Sequence, residues 1–364
     1  MKINEKSLTG RTVYYDYLRV IATIAVITLH VVGLYWGDVD VNSKEWLAFN
    51  FYDSIMRWCV PVFVMISGAL FLSKNEISTK VIFSKYVLRI VTAFAAWSFI
   101  YYLVSKGEIA EQLVGLFSPG RVGRLVSIIT SYYHLWFLPM IAGIYICLPI
   151  IKKIAEDDKI SNYFLIISFV FWLLLPQISQ LVNDFGNEKM ILITNAINGN
   201  INNMNMELVC SYVFYFILGY KISKLELNQK QRIAIYLAGL CGFLLTIILS
   251  WALTIKMQTP LETYYSNICI NVFLEAVAVF VFLKNISFEQ GLWYKKVILK
   301  ISKYSFGIYL VHIIVIEQLG RLGITASRWN PVIAVPLVVC IVFIISLVIS
   351  AILNNIPVVK KYIV

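Results

Sequence analysis

Apolar residues run along this chain in blocks of about twenty, separated by short polar stretches, and that pattern sets the fold class. Ten blocks are long enough to be membrane helices. They lie near residues 17–36, 54–72, 86–104, 134–151, 163–182, 205–222, 233–255, 267–286, 303–322 and 331–353. The sixth and ninth are interrupted by Glu207, Glu317 and several glycines. The pattern predicts an all-α, polytopic integral membrane protein of about ten transmembrane helices, forming a single domain over residues 1–364. No connection is long enough to fold by itself. The longest, about 105–133, carries an amphipathic stretch from Arg121 to Ile129 that would lie along the outer surface. The next, about 183–204, is rich in Asn and Gly and reads as a polar outer loop. The first block is long and lacks a small-residue cleavage site, so it is expected to stay as a signal anchor.

Composition agrees. Sixty per cent of the 364 residues are hydrophobic and only 14% are charged, too few charges to cover a soluble surface of this size. The net charge of +11 would raise the question of nucleic acid in a soluble protein. Here the basic residues sort by side. With the N-terminus inside, 20 of the 31 Lys and Arg fall in inner segments, 8 in outer segments and 3 within the spans. Such a bias predicts that both termini are cytoplasmic. No nucleic-acid motif appears, and no nucleic-acid partner is expected. The six cysteines stand singly in apolar stretches, with neither disulfide nor metal spacing, and read as small hydrophobes.

Ionisable groups at membrane depth are costly, which makes each a candidate for function. The first span carries Asp16, Arg19 and His30, the last two on nearly the same face. Arg19 and His30 are eleven residues apart, three turns plus about 20°, and about 16 Å along the axis. Arg19 then stands near the inner surface and His30 past the midplane, with Asp16 placed to pair with Arg19. An extended donor with phosphates at one end and a thioester at the other fits that line. The plainer reading is that Arg19 snorkels to the interface and His30 makes an interhelical hydrogen bond. Asp53 and Arg57 on the second span are one turn apart and read either as a site or as an internally neutralised pair. Arg89 opens the third span. His134, in HLWFLP, reads as a site residue or as part of an interfacial aromatic belt with Trp136. His312 lies near the midplane of the ninth span, a site residue or a packing one. Glu275 and Glu317 need partners that the sequence does not name.

The motifs taken together resemble acyltransferase family 3. Asp16-Tyr17-Leu18-Arg19, ten residues, then His30 is similar to the family's first-span signature. VPVFVMISG over residues 60–68 resembles its second-span motif. Arg89 falls where the family has a basic pattern, with Lys85 in place of a second arginine at a different spacing. His134-Leu135-Trp136-Phe137-Leu138 and the run from Ser305 to His312 match two further motifs. Within the family the chain looks most like stand-alone surface-glycan O-acetyltransferases of the enterobacterial common antigen type, without an esterase-like domain.

The resemblance implies a bacterial plasma membrane, a cytoplasmic acetyl-CoA donor with no tightly bound cofactor, and an acceptor hydroxyl on a surface glycan or its lipid-linked precursor. Membrane lipids are the remaining expected partners. Arg19, with Arg89 and Lys85, would hold the CoA phosphates. His30 would act as general base or carry the acyl group itself. His134 would serve the acceptor or a second proton transfer, and His312 has no assigned role. Ser67 and Ser305 offer hydroxyls, but no Ser-His-acid spacing supports a serine nucleophile. The rival class is a transporter or flippase for a glycan precursor or small solute, which the buried charges also suit.

Overall fold

The computed structural model describes residues 12–105, 132–206, 209–286 and 293–364. Its principal helices are α1 (Tyr14–Gly33), α2 (Lys44–Ser54), α3 (Cys59–Leu72), α4 (Leu88–Ser105), α5 (Phe137–Ile146), α6 (Leu148–Glu156), α7 (Asp158–Ser168) and α8 (Leu175–Phe185). They continue as α9 (Glu188–Asn202), α10 (Val213–Lys224), α11 (Gln229–Met257), α12 (Ile270–Lys284), α13 (Trp293–Arg321), α14 (Pro331–Leu353) and α15 (Pro357–Tyr362). Among the described residues there is no strand. Eight helical stretches there are long and apolar enough to cross a membrane, nine if the bent pair Tyr133–Ile146 and Leu148–Glu156 is one span. The protein is an all-α polytopic membrane protein.

Two of the ten expected spans differ. The fourth bends by 62° between α5 and α6. Pro149 lies just past the bend; it has no N–H for the Tyr145 carbonyl and its ring crowds that oxygen. The sixth reduces to α10, whose 12 residues reach about 18 Å, short of a hydrocarbon core of about 30 Å. Glu207, which interrupts that block, lies outside the described residues, as does the amphipathic stretch from Arg121 to Ile129.

The expected outer loop at 183–204 is also corrected, because most of it is helix α9. The Asn187 side chain caps it by accepting from Met190 N at 3.0 Å, with Glu188 in the first turn. The apolar run Met190 to Ile193 sustains it, and none of its residues is buried. Asn and Gly content had masked a capped surface helix.

The chain forms two compact units. One comprises Met1–Lys74, Ile151–Ser302 and Thr325–Val339. In it α3 crosses α10 at very short range. A Cβ on Gly68 would overlap the Phe216 backbone, and one on Gly219 would overlap the Met65 backbone. Lipid tails are as apolar as the side chains, so close backbone approach and packing hold such helices together. The α11–α12 pair uses the same device, with Gly239 against Ala278 and Gly242 against the Asn271 carbonyl. Asn228 and Gln231 form a capping box that starts α11.

Between α2 and α3 the helical ladder changes. Pro61 leaves the Arg57 carbonyl without its N–H. Met56 N bonds to Asp53 O and Cys59 N to Met56 O, both at 3.2 Å, closing three-residue turns through the joint.

The other unit comprises Asn75–Ile150, Lys303–Ile324 and Cys340–Val364. A π-helical segment, Ile82–Val87, leads into α4. The end of α15 and the residues after it lie along α4, whose side chains bond their backbone carbonyls. Thr92 donates to Tyr362 O at 2.6 Å, Trp97 to Ile363 O at 3.1 Å and Arg89 to Val364 O at 2.7 Å. Gly307 on α13 packs against Ser350 of α14, whose hydroxyl donates to Tyr304 O at 2.9 Å.

Candidate active site

In the first unit, α1 runs without interruption from Tyr14 to Gly33, so the eleven-residue offset between Arg19 and His30 is a true three-turn helical line. Asp16 is buried at 1% exposure, and the Ser302 hydroxyl donates to its Oδ1 at 2.6 Å. The same oxygen lies 3.5 Å from Arg19 Nη1. The Arg19 side chain keeps 28% of its surface exposed, and Asp16 aims it. His30 is half-buried in the last turn of α1.

Asp53 and Arg57 form the internally neutralised pair that their spacing allowed. Arg57 Nη2 donates to Asp53 Oδ2, with Asp53 at 1% exposure. The guanidinium lies 4.3 Å from the centroid of the Tyr265 ring, and the Tyr265 hydroxyl donates to Asn50 Oδ1. Glu275 finds its partner on α11, where Thr246 Oγ1 lies 2.6 Å from Oε1. Asn271 Nδ2 donates to that same hydroxyl at 2.8 Å.

In the second unit, the structure joins three candidates from two segments. His134 sits in a 3₁₀ turn, Tyr133–Trp136, at 2% exposure. The interfacial-belt expectation for it is therefore wrong: aromatic rings enclose it. Its ring centroid lies 4.9 Å from Tyr101, 5.5 Å from His312 and 5.8 Å from Tyr309. Trp136, its expected belt companion, is the exposed one at 41%.

His312 is fully buried on α13, and its Nδ1 lies 2.6 Å from the Tyr309 carbonyl oxygen. A carbonyl only accepts, so Nδ1 carries the proton there and Nε2 is the basic nitrogen. The Tyr309 hydroxyl donates to the His134 carbonyl at 2.6 Å. Glu317, one turn and a half beyond His312, accepts from Tyr132 at 2.9 and 3.1 Å. Tyr101 donates to Leu310 O at 2.8 Å and stacks near Tyr132 at 4.2 Å. The cluster thus offers a tautomer-fixed imidazole, a second imidazole and a tyrosine-bound carboxyl, which is the equipment of proton transfer.

Arg89 bonds Val364 O and lies 5.4 Å from the Phe306 ring, while Lys85 is exposed on the π-helical segment. Sequence reasoning missed the three tyrosines and Ser302. Two of them had signals in place, since Tyr132 and Tyr309 sit in or beside the quoted motifs. Tyr101 and Ser302 had none, because nothing in an apolar helix marks which hydroxyl faces a partner.

No curated protein and no solved structure matches the chain. A family model described as an acyltransferase domain matches residues 12–354, nearly the whole length. Every candidate residue named above falls within that span, and the chain belongs to acyltransferase family 3.

Proposed function

We propose that this membrane acyltransferase is an O-acetyltransferase of a bacterial plasma membrane. It moves an acetyl group from cytoplasmic acetyl-CoA to a hydroxyl of an extracytoplasmic surface polysaccharide or its lipid-linked precursor. The observation that carries the reading is the unbroken α1 line, with a partly exposed, Asp16-aimed Arg19 about 16 Å from His30. Over the connections up to Lys159, ahead of the short sixth helix, nine inner Lys and Arg against four outer ones support a cytoplasmic N-terminus and hence a donor entering at the Arg19 end.

Arg19 holds CoA phosphate by charge-assisted hydrogen bonds, with Arg89 and Lys85 as further cations. His30 removes the proton from the acceptor hydroxyl as its oxygen attacks the thioester carbonyl. The C–S bond breaks, the ester forms, and the proton passes to the departing thiolate. His134 and His312 serve the acceptor or a second proton transfer.

The test uses the purified protein in a bilayer with acetyl-CoA and surface glycan. Thiol release in step with acceptor acetylation is the expected result. Mass analysis of surface glycans from cells with and without the gene then identifies the acyl group and acceptor. A transport reading has one observation in its favour, the helical joint between α2 and α3 beside the buried Asp53–Arg57 pair. Movement of a glycan precursor without thioester consumption would decide for it.

A further inference from the structure

In the first unit a groove of about 430 Å³ lies where α11 and α12 meet the joint between α2 and α3. Its volume falls in the range of about 300–1,000 Å³ that small-molecule sites occupy. Ile55 and Trp58 come from the joint, Phe243 from α11 and Val279 from α12. Leu240 and Phe282, also in the lining, are 53% and 52% exposed, so the groove opens on a helix surface that belongs to membrane spans.

One carboxyl and the Tyr236 hydroxyl interrupt this apolar wall. Glu275 lines the groove at 4% exposure, five residues past the start of α12 at Ile270, about 8 Å along that helix. Its two oxygens differ. Oε1 is held by Thr246, which Asn271 holds in turn. Oε2 is buried and has no hydrogen-bond partner among the described residues. Among the described residues no cation lies within ion-pair reach of this carboxyl. Trp58 Nε1 cannot serve it, because that N–H is spent on Ile55 O at 2.7 Å.

A buried oxygen without a donor calls for one, and the setting limits what brings it. Besides Glu275 the lining carries the Tyr236 hydroxyl and the spent Trp58 N–H, and its other side chains are apolar. A bare hydrocarbon chain fills the groove but leaves Oε2 unpaired. We propose that the groove is a binding site for a long-chain alcohol entering from the bilayer, its chain along Phe243 and Val279 and its hydroxyl donating to Glu275 Oε2. Gly239, whose Cβ would collide with Ala278, keeps α11 and α12 close enough to hold the floor of the groove. The inference stands independently of the acyl-transfer reading, since it uses no residue of that mechanism.

The test places the full-length protein in phosphatidylcholine vesicles with a diazirine-bearing dodecanol, and maps crosslinks by peptide mass spectrometry. Crosslinks concentrated on α11 and α12 around Phe243 and Val279 are expected. Unlabelled dodecanol should compete roughly tenfold better than dodecane, as one hydrogen bond to a buried carboxyl implies. Val279→Trp, which fills the groove one turn from Glu275, should abolish these crosslinks, and Glu275→Leu should erase the preference of alcohol over alkane. Equal competition by dodecane, better competition by dodecylamine, crosslinks spread evenly over the lipid-facing helices, or labelling unchanged in Val279→Trp would each overturn the proposal.

Discussion

The imidazole of His134 meets that of His312 edge to face, with ring centroids 5.5 Å apart and planes at 84°. One ring stands in a 3₁₀ turn and the other on a long helix, and the Tyr309 hydroxyl ties the two segments by bonding the His134 carbonyl. Groups in such contact act as a unit, so their losses should not multiply. His134→Ala and His312→Ala should each slow acyl transfer by about 10²-fold or more, and the double variant should be little worse than either single one. Rates of thiol release for the three variants check this; losses that multiply would mean the rings act separately.

His30 is half-buried in the last turn of α1, so removing its ring leaves little cavity. His30→Ala should therefore reach the membrane at normal levels and keep its melting temperature. Surface-glycan acetylation should fall by about 10²- to 10⁴-fold, the usual worth of a positioned proton acceptor. Wild-type acetyl content in that variant would remove His30 from the mechanism.

Arg19 is aimed by Asp16, and Asp16 by Ser302. Losing a charge-assisted hydrogen bond of about 1.5–3 kcal/mol should raise the acetyl-CoA KM of Arg19→Ala by about ten- to a hundredfold. Ser302→Ala frees Asp16 without deleting the cation, so it should raise that KM by a few-fold only. Neither variant should alter the KM for the acceptor. A shift confined to acceptor dependence would assign Arg19 elsewhere.

The membrane class was legible because hydrocarbon thickness demands long apolar runs, and nothing else in the chain competes with that signal. The same logic failed at α9 and α10. In the first case Asn187 and Glu188 supply a helix start that Asn-rich composition conceals, and in the second the helix is simply too short. Pairing between near neighbours in sequence was also readable: Asp16 with Arg19 and Asp53 with Arg57 are three and four residues apart. Partners between helices were not. Tyr132 for Glu317 and Thr246 for Glu275 depend on which helices become neighbours, and apolar periodicity all round a membrane helix carries no such information.

The α3–α10 crossing rests on two glycines that meet backbone rather than side chains. Backbone cannot swing aside, so Gly68→Ala or Gly219→Ala must push the helices apart. Each should cost about 1–3 kcal/mol, the usual penalty of overpacking, and the loss should appear as a lower melting temperature in detergent. Gly143→Ala is the control, because a Cβ there meets nothing within 4 Å. Equal melting temperatures for Gly68→Ala and Gly143→Ala would refute the close crossing.

The Asp53–Arg57 pair bears on the joint that Pro61 creates. Asp53 is 1% exposed, and Arg57 keeps 17% of its side-chain surface. Removing one member strands a charge at membrane depth, and Asp53→Ala or Arg57→Ala should cost about 3–5 kcal/mol. Replacing both groups together removes the stranded charge, so Asp53→Asn combined with Arg57→Gln should recover most of that loss. If the pair only braces the joint, acyl transfer should recover with stability in the double variant. Restored melting temperature without restored turnover would instead place the charges in the chemistry, which is why both readouts belong in the same experiment.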